Sequence, residues 1–481
     1  MLQVKNRLKR EIDRVEYSAD WVDFYSEAGV LRIEPKDERI IRVMYTMRDG
    51  FTDEVGIGIL EPPGKAEWLV EETKEAYLVK TSCVTAEVNK RTSSIRYFDA
   101  KGTLLLAEKE RESRVLEEFD SYRLVVDENT KVDLVETPDG VKKIIREANK
   151  EFDRKLYHTR LFLNWQEDEA LYGLGQAEEG VLNLRGTTQY VHQANLKIGI
   201  PMLLSTKGYG LLLATGSPAV FSDTAYGSYL YTEADPQMDF YFIAGENFDT
   251  VIDGYRTLTG KAAMLPKWAF GFVQSQEMYE TQEEILKIAG EHRERGIGLD
   301  CIVMDWSSWK GNLWGQKTFD EIRFPDPKAM TDQLHEENVH FMISIWPNMN
   351  EASENYKEFF DKKLLLPANN IYDAFRPEAR ALYWKQAKEG LFDKGIDAWW
   401  CDSNEPVTPE WGHRQKPEPF DMYREFTAQA GKYMPLEKCN AFGLVHAQAM
   451  YEGQRGTDES KRVVNLTRNG YTGGQRYGTI L

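Results

Sequence analysis

Two tryptophans lead into an acidic residue in the segment Trp399-Trp400-Cys401-Asp402-Ser403-Asn404-Glu405-Pro406. A carboxylate at the mouth of a buried strand, walled by aromatic rings, suits a nucleophile that attacks an anomeric carbon. The same residues also fit a structural Asp that caps the next helix while the tryptophans pack beneath it, and spacing alone leaves both readings open. Asp305, in the run MDWSSW, can accept hydrogen bonds from hydroxyl groups or simply cap a turn. Arg468 lies in LTRNGYTGGQRYG, where Gly470, Gly473 and Gly474 suggest a loop brought close to something. Its planar fork can clamp a carboxylate or a pair of hydroxyls, or serve as an ordinary ion-paired arginine. Trp306, Trp309, Trp314, Trp346 and Trp411 can stack on apolar sugar faces or fill a core. His192, His413 and His446 have no metal-ligand spacing and read as polar or packing residues.

These residues need elements that bring them together. Up to about residue 260, short β-branched and aromatic runs such as Ala76–Val79, Ser94–Phe98, Tyr122–Val126, Ile200–Leu204 and Met238–Ala244 alternate with turn signals, Pro138-Asp139-Gly140 among them. Strands at this spacing predict a large antiparallel sandwich. Beyond Leu265-Pro266-Lys267-Trp268 the pattern changes. Trp268–Val273 reads as an apolar strand, Thr281 to Glu284 as a capping box, and Leu299–Met304 as a strand ending at Asp305. Asp326-Pro327 opens a helix, His340–Trp346 is the next strand, and Pro377 opens a helix that Gly395 stops before the strand Asp397–Cys401. A helix between Asp421 and Ala430, then strands at Val463–Thr467 and Tyr477–Leu481, complete the series. Alternating elements whose strands are apolar on both faces mean a parallel sheet covered by helices. No nucleotide-binding glycine fingerprint is present, so a (β/α)8 barrel fits, with its chemistry at the C-terminal strand ends. Those ends carry Asp305, Trp346, Asp402 and Arg468.

Composition bounds the rest. The 481 residues carry a net charge of −18, which argues against a phosphate-tracking surface and hence against nucleic-acid partners. No window approaches the ~20 apolar residues of a membrane span, so no membrane partner is expected. The charged start MLQVKNRLKREIDR lacks a secretory core, and Cys83, Cys301, Cys401 and Cys439 form no CxxC pair. Reduced, buried thiols and a cytoplasmic location are the expectation. Asn465-Leu466-Thr467 matches a glycosylation sequon but lies in an apolar run and reads as chance. Self-association is left open.

The ordered motifs LPKWAFGFVQSQEMYETQEEI, GIGLDCIVMDWSSW, FPDPKAM, HFMISIWP, GIDAWWCDSNEP and LTRNGYTGGQRYG together resemble the catalytic barrel of glycoside hydrolase family 31. LYGLGQ and IPMLLSTKGYGLLLATG resemble that family's N-terminal β-sandwich, so the likeness covers nearly the whole chain. It implies a galactose-mutarotase-like sandwich over residues 1–262 and a (β/α)8 barrel over 263–481. It further implies a retaining α-glycosidase acting on non-reducing α-xylosyl or α-glucosyl ends of a glycoside or oligosaccharide, with no metal or organic cofactor. Position by position, Asp402 matches the nucleophile, Asp305 the residue that holds sugar hydroxyls, Arg468 the arginine beside that sugar, and Trp346 the pocket lining. Trp306, Trp309 and Glu405 fall in the pocket wall or just behind it. The resemblance also implies a loop from the sandwich over the pocket, whose residues are not readable here.

One part of the pattern is not met. The family's acid/base Asp sits in a W-x-G-D segment after the strand matching Tyr477–Leu481, and this sequence ends at Leu481. Glu405, three residues past Asp402 on the same loop, does not obviously face it across a sugar. The expectation is therefore an incomplete barrel from a truncated enzyme that is inactive by itself. A non-catalytic carbohydrate-binding remnant and an α-glucan lyase are the alternatives.

Overall fold

The computed structural model describes residues 8–52, 55–60, 66–138 and 140–480; Asp139 of the expected turn and Leu481 of the expected last strand lie outside them. Two antiparallel sheets form the first part. In one, eight strands run in the order Arg14–Tyr17, Val22–Ser26, Gly29–Pro35, Ile40–Thr46, Met238–Ala244, Tyr209–Leu213, Ile198–Ser205 and Leu171–Gln176. The other is built around the long strand Asn149–Asn164, which pairs with Arg114–Val125 and Gly227–Asp235. Alternating residues of the two sheets meet in one core, as when Tyr97 stacks on Phe242 at 4.1 Å. This is the sandwich that the period-two pattern predicts. A helix, Phe248–Thr259, ends it.

The second part is a parallel sheet of six strands in chain order: Val273–Gln276, Cys301–Met304, His340–Ile345, Ala398–Cys401, Asn465–Thr467 and Thr479–Ile480. Helices Gln282–Glu294, Pro327–Glu336, Glu354–Asp361, Pro377–Gly390, Pro419–Tyr433 and Phe442–Thr457 cover it. Their capping follows the sequence: Thr281 accepts from the Glu284 amide, and Asp326 accepts from the Ala329 amide ahead of Pro327. Among the described residues, the first strand pairs only with the second and the sixth only with the fifth, so the sheet has two open edges.

The apolar run at Trp268 is not a strand. Lys267–Phe270 forms a 3₁₀ turn between Pro266 and Gly271, and the first barrel strand starts at Val273. Pro266 and Gly271 break the ladder on either side, and the Trp268 ring stacks on His340 at 4.3 Å, plugging the N-terminal end of the barrel. The sequon asparagine is also accounted for. Asn465 is fully buried in the fifth strand, and its Nδ2 donates to the carbonyls of Ala447 and Tyr477, which removes it as a glycan acceptor in the folded chain.

Sandwich and barrel are tied at several places. Asn440 Nδ2 donates to the carbonyls of Val191 (3.1 Å) and Ser217 (3.0 Å), and Tyr471 donates to Thr215. The hairpin Lys131–Thr137/Gly140–Glu147 leaves the sandwich and lies on the barrel. Ile145 joins the barrel core, its amide donates to the Tyr433 hydroxyl (3.1 Å), and that hydroxyl donates to the Lys143 carbonyl (2.8 Å). Lys142 Nζ reaches Thr408, and Asn370 holds the Val141 carbonyl. Removing one hydroxyl should therefore loosen the hairpin: Tyr433→Phe is expected to cost about 1–2 kcal/mol in chemical denaturation. Amide exchange should accelerate in residues 140–147 ahead of the rest of the chain.

Candidate active site at the C-terminal strand ends

Side chains of a strand alternate between its two faces, so a barrel strand sends every second residue inward. Cys301, Val303, Met342, Ala398, Trp400, Val464 and Leu466 pack together as the barrel interior. Ile302, Met304, Phe341, Ile343, Trp399 and Cys401 pack outward in the core shared with the helices. Continuing the inward phase one step past each strand reaches Asp305, Trp346, Asp402 and Arg468.

The register then sets their heights. Ser344 pairs with Trp400 and Trp400 with Leu466, so Trp346, Asp402 and Arg468 stand in one layer above them. Val303 pairs with Ser275, which puts Asp305 beside Glu277, one layer lower. Glu277 is an acidic neighbour that sequence reasoning missed. The strand expected at Trp268–Val273 lies too early, and with the strand moved to Val273–Gln276 the same alternation finds it.

Arg468 joins the acids. Its Nη1 lies 3.2 Å from Asp402 Oδ1, while Nη2 and Nε grip Glu405 Oε2 at 2.7 and 2.9 Å. Glu405 is completely buried, so its carboxylate sits behind the guanidinium and holds it instead of facing the pocket. A two-point grip of this kind fixes the plane of the fork and aims the remaining N–H groups at Asp402. The backbone around the nucleophile candidate is equally constrained. The Asp402 amide donates to the Ile345 carbonyl, and Ser403 takes a left-handed conformation with φ 49°. Buried Asn404 donates to Thr467 and accepts from Asn469. Asp402 is thus held by both neighbouring strands and by the loop after Arg468.

The wall is aromatic. Trp306, Trp309 and Trp346 form a triangle with ring centroids 4.9–5.5 Å apart, and Trp314 and Val141 of the hairpin pack on it. Gly140 lies so close to Trp314 that a Cβ there would stand 2.8 Å from the ring, so the roof of the wall needs glycine at that point. The Trp346 carbonyl accepts from Tyr383, whose ring carries the buried Lys317 ammonium 4.1 Å from its centre. Trp411 stands apart, in the turn Pro409–Gly412. A cavity of about 280 Å³ under the hairpin, lined by Lys142, Thr408 and Tyr433, contains none of the strand-end residues.

Burial pushes the Asp305 carboxyl up to about 6, with repulsion from Asp402 and then Glu277 adding to it and Arg468 opposing it. The sign follows. Asp305 is neutral in folded and unfolded chains well below its ordinary value of 3.8, and the folded state is increasingly penalised as pH rises from there to about 6. Asp305→Asn is thus expected to gain stability over the wild type across this window, with the difference level above it. Denaturant midpoints taken at several pH values between about 3.5 and 7.5 check this.

Comparison with known proteins bears on the family and the fold. The profile of the Glycosyl hydrolases family 31 TIM-barrel domain matches residues 262–481, and that of the Glycosyl hydrolase 31 N-terminal galactose mutarotase-like domain matches residues 30–221. An α-xylosidase of Saccharolobus solfataricus is 36% identical over 376 residues, which cover 75% of this chain and 50% of the relative. An uncharacterized family 31 glucosidase of Pseudescherichia vulneris is 26% identical over 96% of this chain and 84% of its own length. A family 31 α-xylosidase from Xanthomonas citri has the same fold, with a TM-score of 0.80 at 23% identity, over 96% of this chain and 65% of that one. The chain thus spans half the length of the archaeal relative and about two thirds of the Xanthomonas structure. Both parts of the chain match domains of one family, in the order that family has them, and the chain belongs to glycoside hydrolase family 31.

Proposed function

We propose that this chain carries the nucleophile half of a retaining α-glycosidase acting on non-reducing α-xylosyl or α-glucosyl residues, with α-xylosyl as the first choice. The observation that carries the proposal is the layer formed by Trp346, Asp402 and Arg468, with a guanidinium 3.2 Å from the Asp402 carboxylate. The choice of sugar is supported by the α-xylosidase from Saccharolobus solfataricus at 36% identity, and by a solved family 31 α-xylosidase complexed with xylose at 27%.

In this reading Asp402 Oδ attacks the anomeric carbon as the bond to the leaving oxygen breaks, giving a glycosyl ester that water later cleaves. Arg468, held by Glu405, pairs with the Asp402 carboxylate and keeps it aimed. Asp305 takes the sugar hydroxyls, and the tryptophan triangle backs the pocket. The leaving oxygen needs a proton from a second carboxyl about 5–5.5 Å from the first. Among the described residues we assign no carboxyl to that role. A cytoplasmic setting, supported by four free cysteines, belongs to the same proposal.

Two measurements test it. A 5-fluoro-α-xylosyl fluoride probe on the protein extended past Leu481 is expected to leave one covalent adduct on Asp402 by mass spectrometry, and Asp402→Asn is expected to lose about 10⁴-fold or more in kcat. An adduct elsewhere rejects the assignment, sugar binding without turnover favours the non-catalytic remnant, and an anhydro-sugar product identifies a lyase. The 481 residues alone are expected to show no turnover of aryl α-xylosides, and sustained turnover would prove that an acid within them suffices.

A further inference from the structure

The opposite end of the barrel holds a second cluster of ionisable groups that the chemistry above does not use. Asp397 directly precedes the fourth strand, His340 begins the third, and His335 lies in the last turn of the helix Pro327–Glu336. His335 Nε2 stands 2.7 Å and His340 Nδ1 3.4 Å from the same Asp397 oxygen, and the three groups present one ligand atom each within 4.8 Å of one another. We propose that His335, His340 and Asp397 form a binding site for a divalent transition-metal ion of the Zn²⁺ class.

The donor set fits that class. Two imidazoles and one carboxylate are borderline nitrogen and oxygen ligands, suited to Zn²⁺, Co²⁺ or Ni²⁺ rather than to Ca²⁺ or Mg²⁺. With metal–ligand bonds near 2.0–2.1 Å, a tetrahedral site has ligand–ligand edges of roughly 3.3 Å, and the two contacts to Asp397 bracket that spacing. His340 Nδ1 is buried, and its 3.4 Å contact with Asp397 falls outside hydrogen-bond geometry. Its ring is clamped against Trp268. Asp397 is buried and braced by the Phe341 amide at 3.0 Å and by Lys461 on its other oxygen at 2.7 Å, the outer contacts that hold a metal carboxylate in place. Both histidines are about one third exposed, which leaves a path for the ion and room for water as fourth ligand.

One feature opposes binding: the Lys461 ammonium sits on the carboxylate and repels a cation. It also makes the site distinguishable from a simple ion-pair network. The site lies some 15 Å below Asp402 along the strand, so its role would be to staple a helix and two strands together.

Titration of chelator-treated protein with Zn²⁺ alone, followed by calorimetry, tests this. One equivalent is expected to bind saturably and to raise the melting temperature. His335→Gln and His340→Gln are each expected to weaken binding at least about tenfold, and Lys461→Gln to tighten it. Because His335 is partly exposed on a helix end, its variant is expected to melt near the wild-type temperature without metal. Co²⁺ is expected to give d–d absorption with no thiolate charge-transfer band, which separates this site from Cys83. Absence of one-to-one binding, unchanged affinity in both histidine variants, or a thiolate band would each overturn the proposal and leave an ion-pair network.

Discussion

Everything at the pocket end depends on the phase of the pleat. Each strand sends alternate side chains to opposite faces, so a slip of one residue in Ala398–Cys401 would turn Asp402 toward the helices and Cys401 into the pocket. The phase is held from outside the pocket. Trp399 is completely buried among the helices, where its Nε1 donates to Gln454 at 2.8 Å and its ring meets Trp384. A residue that never faces a ligand therefore decides which side the carboxylate points to. The same phase runs through all six strands, which is why residues as distant as Glu277 and Arg468 reach one small volume.

That volume holds more negative than positive charge. Among the described residues, Asp305, Asp402 and Glu277 face the Arg468 guanidinium, part of which is already committed to Glu405. The rise of the Asp305 carboxyl to about 6 is one sign of the imbalance. A pocket of this kind stabilises positive charge as it develops at an anomeric centre, which is the electrostatic demand of the displacement proposed for Asp402.

The strand-end residues were legible because buried parallel strands are nearly continuous apolar runs, and the first polar residue after such a run marks the mouth. Asp305, Asp402 and Arg468 stand out in this way. Three things were hidden. Glu277 follows a run in which Pro266 and Gly271 convert apolar sequence into a turn, so the strand was expected too early. The helix Phe442–Thr457 escaped because it is buried on most sides, with Gly443 against Asn469 and Gly453 against Trp384, and an all-round buried helix shows no polar face. The hairpin over the pocket was unreadable because its partners, Asn370, Thr408 and Tyr433, lie more than 200 residues away in the chain. Its alternation announces a hairpin but not what the hairpin touches.

That hairpin divides the molecule's capacity for change. The floor of the pocket is locked by register, and any shift there moves several strands at once. The roof is a two-stranded projection tied to the barrel by a few hydrogen bonds and one buried isoleucine, and it ends beside the tryptophan wall. Lengthening, shortening or recolouring its tip would reshape the entrance while leaving Asp402 and its supports untouched. Divergence in what is admitted can therefore accumulate in a segment that belongs, by chain and by fold, to the domain without the chemistry.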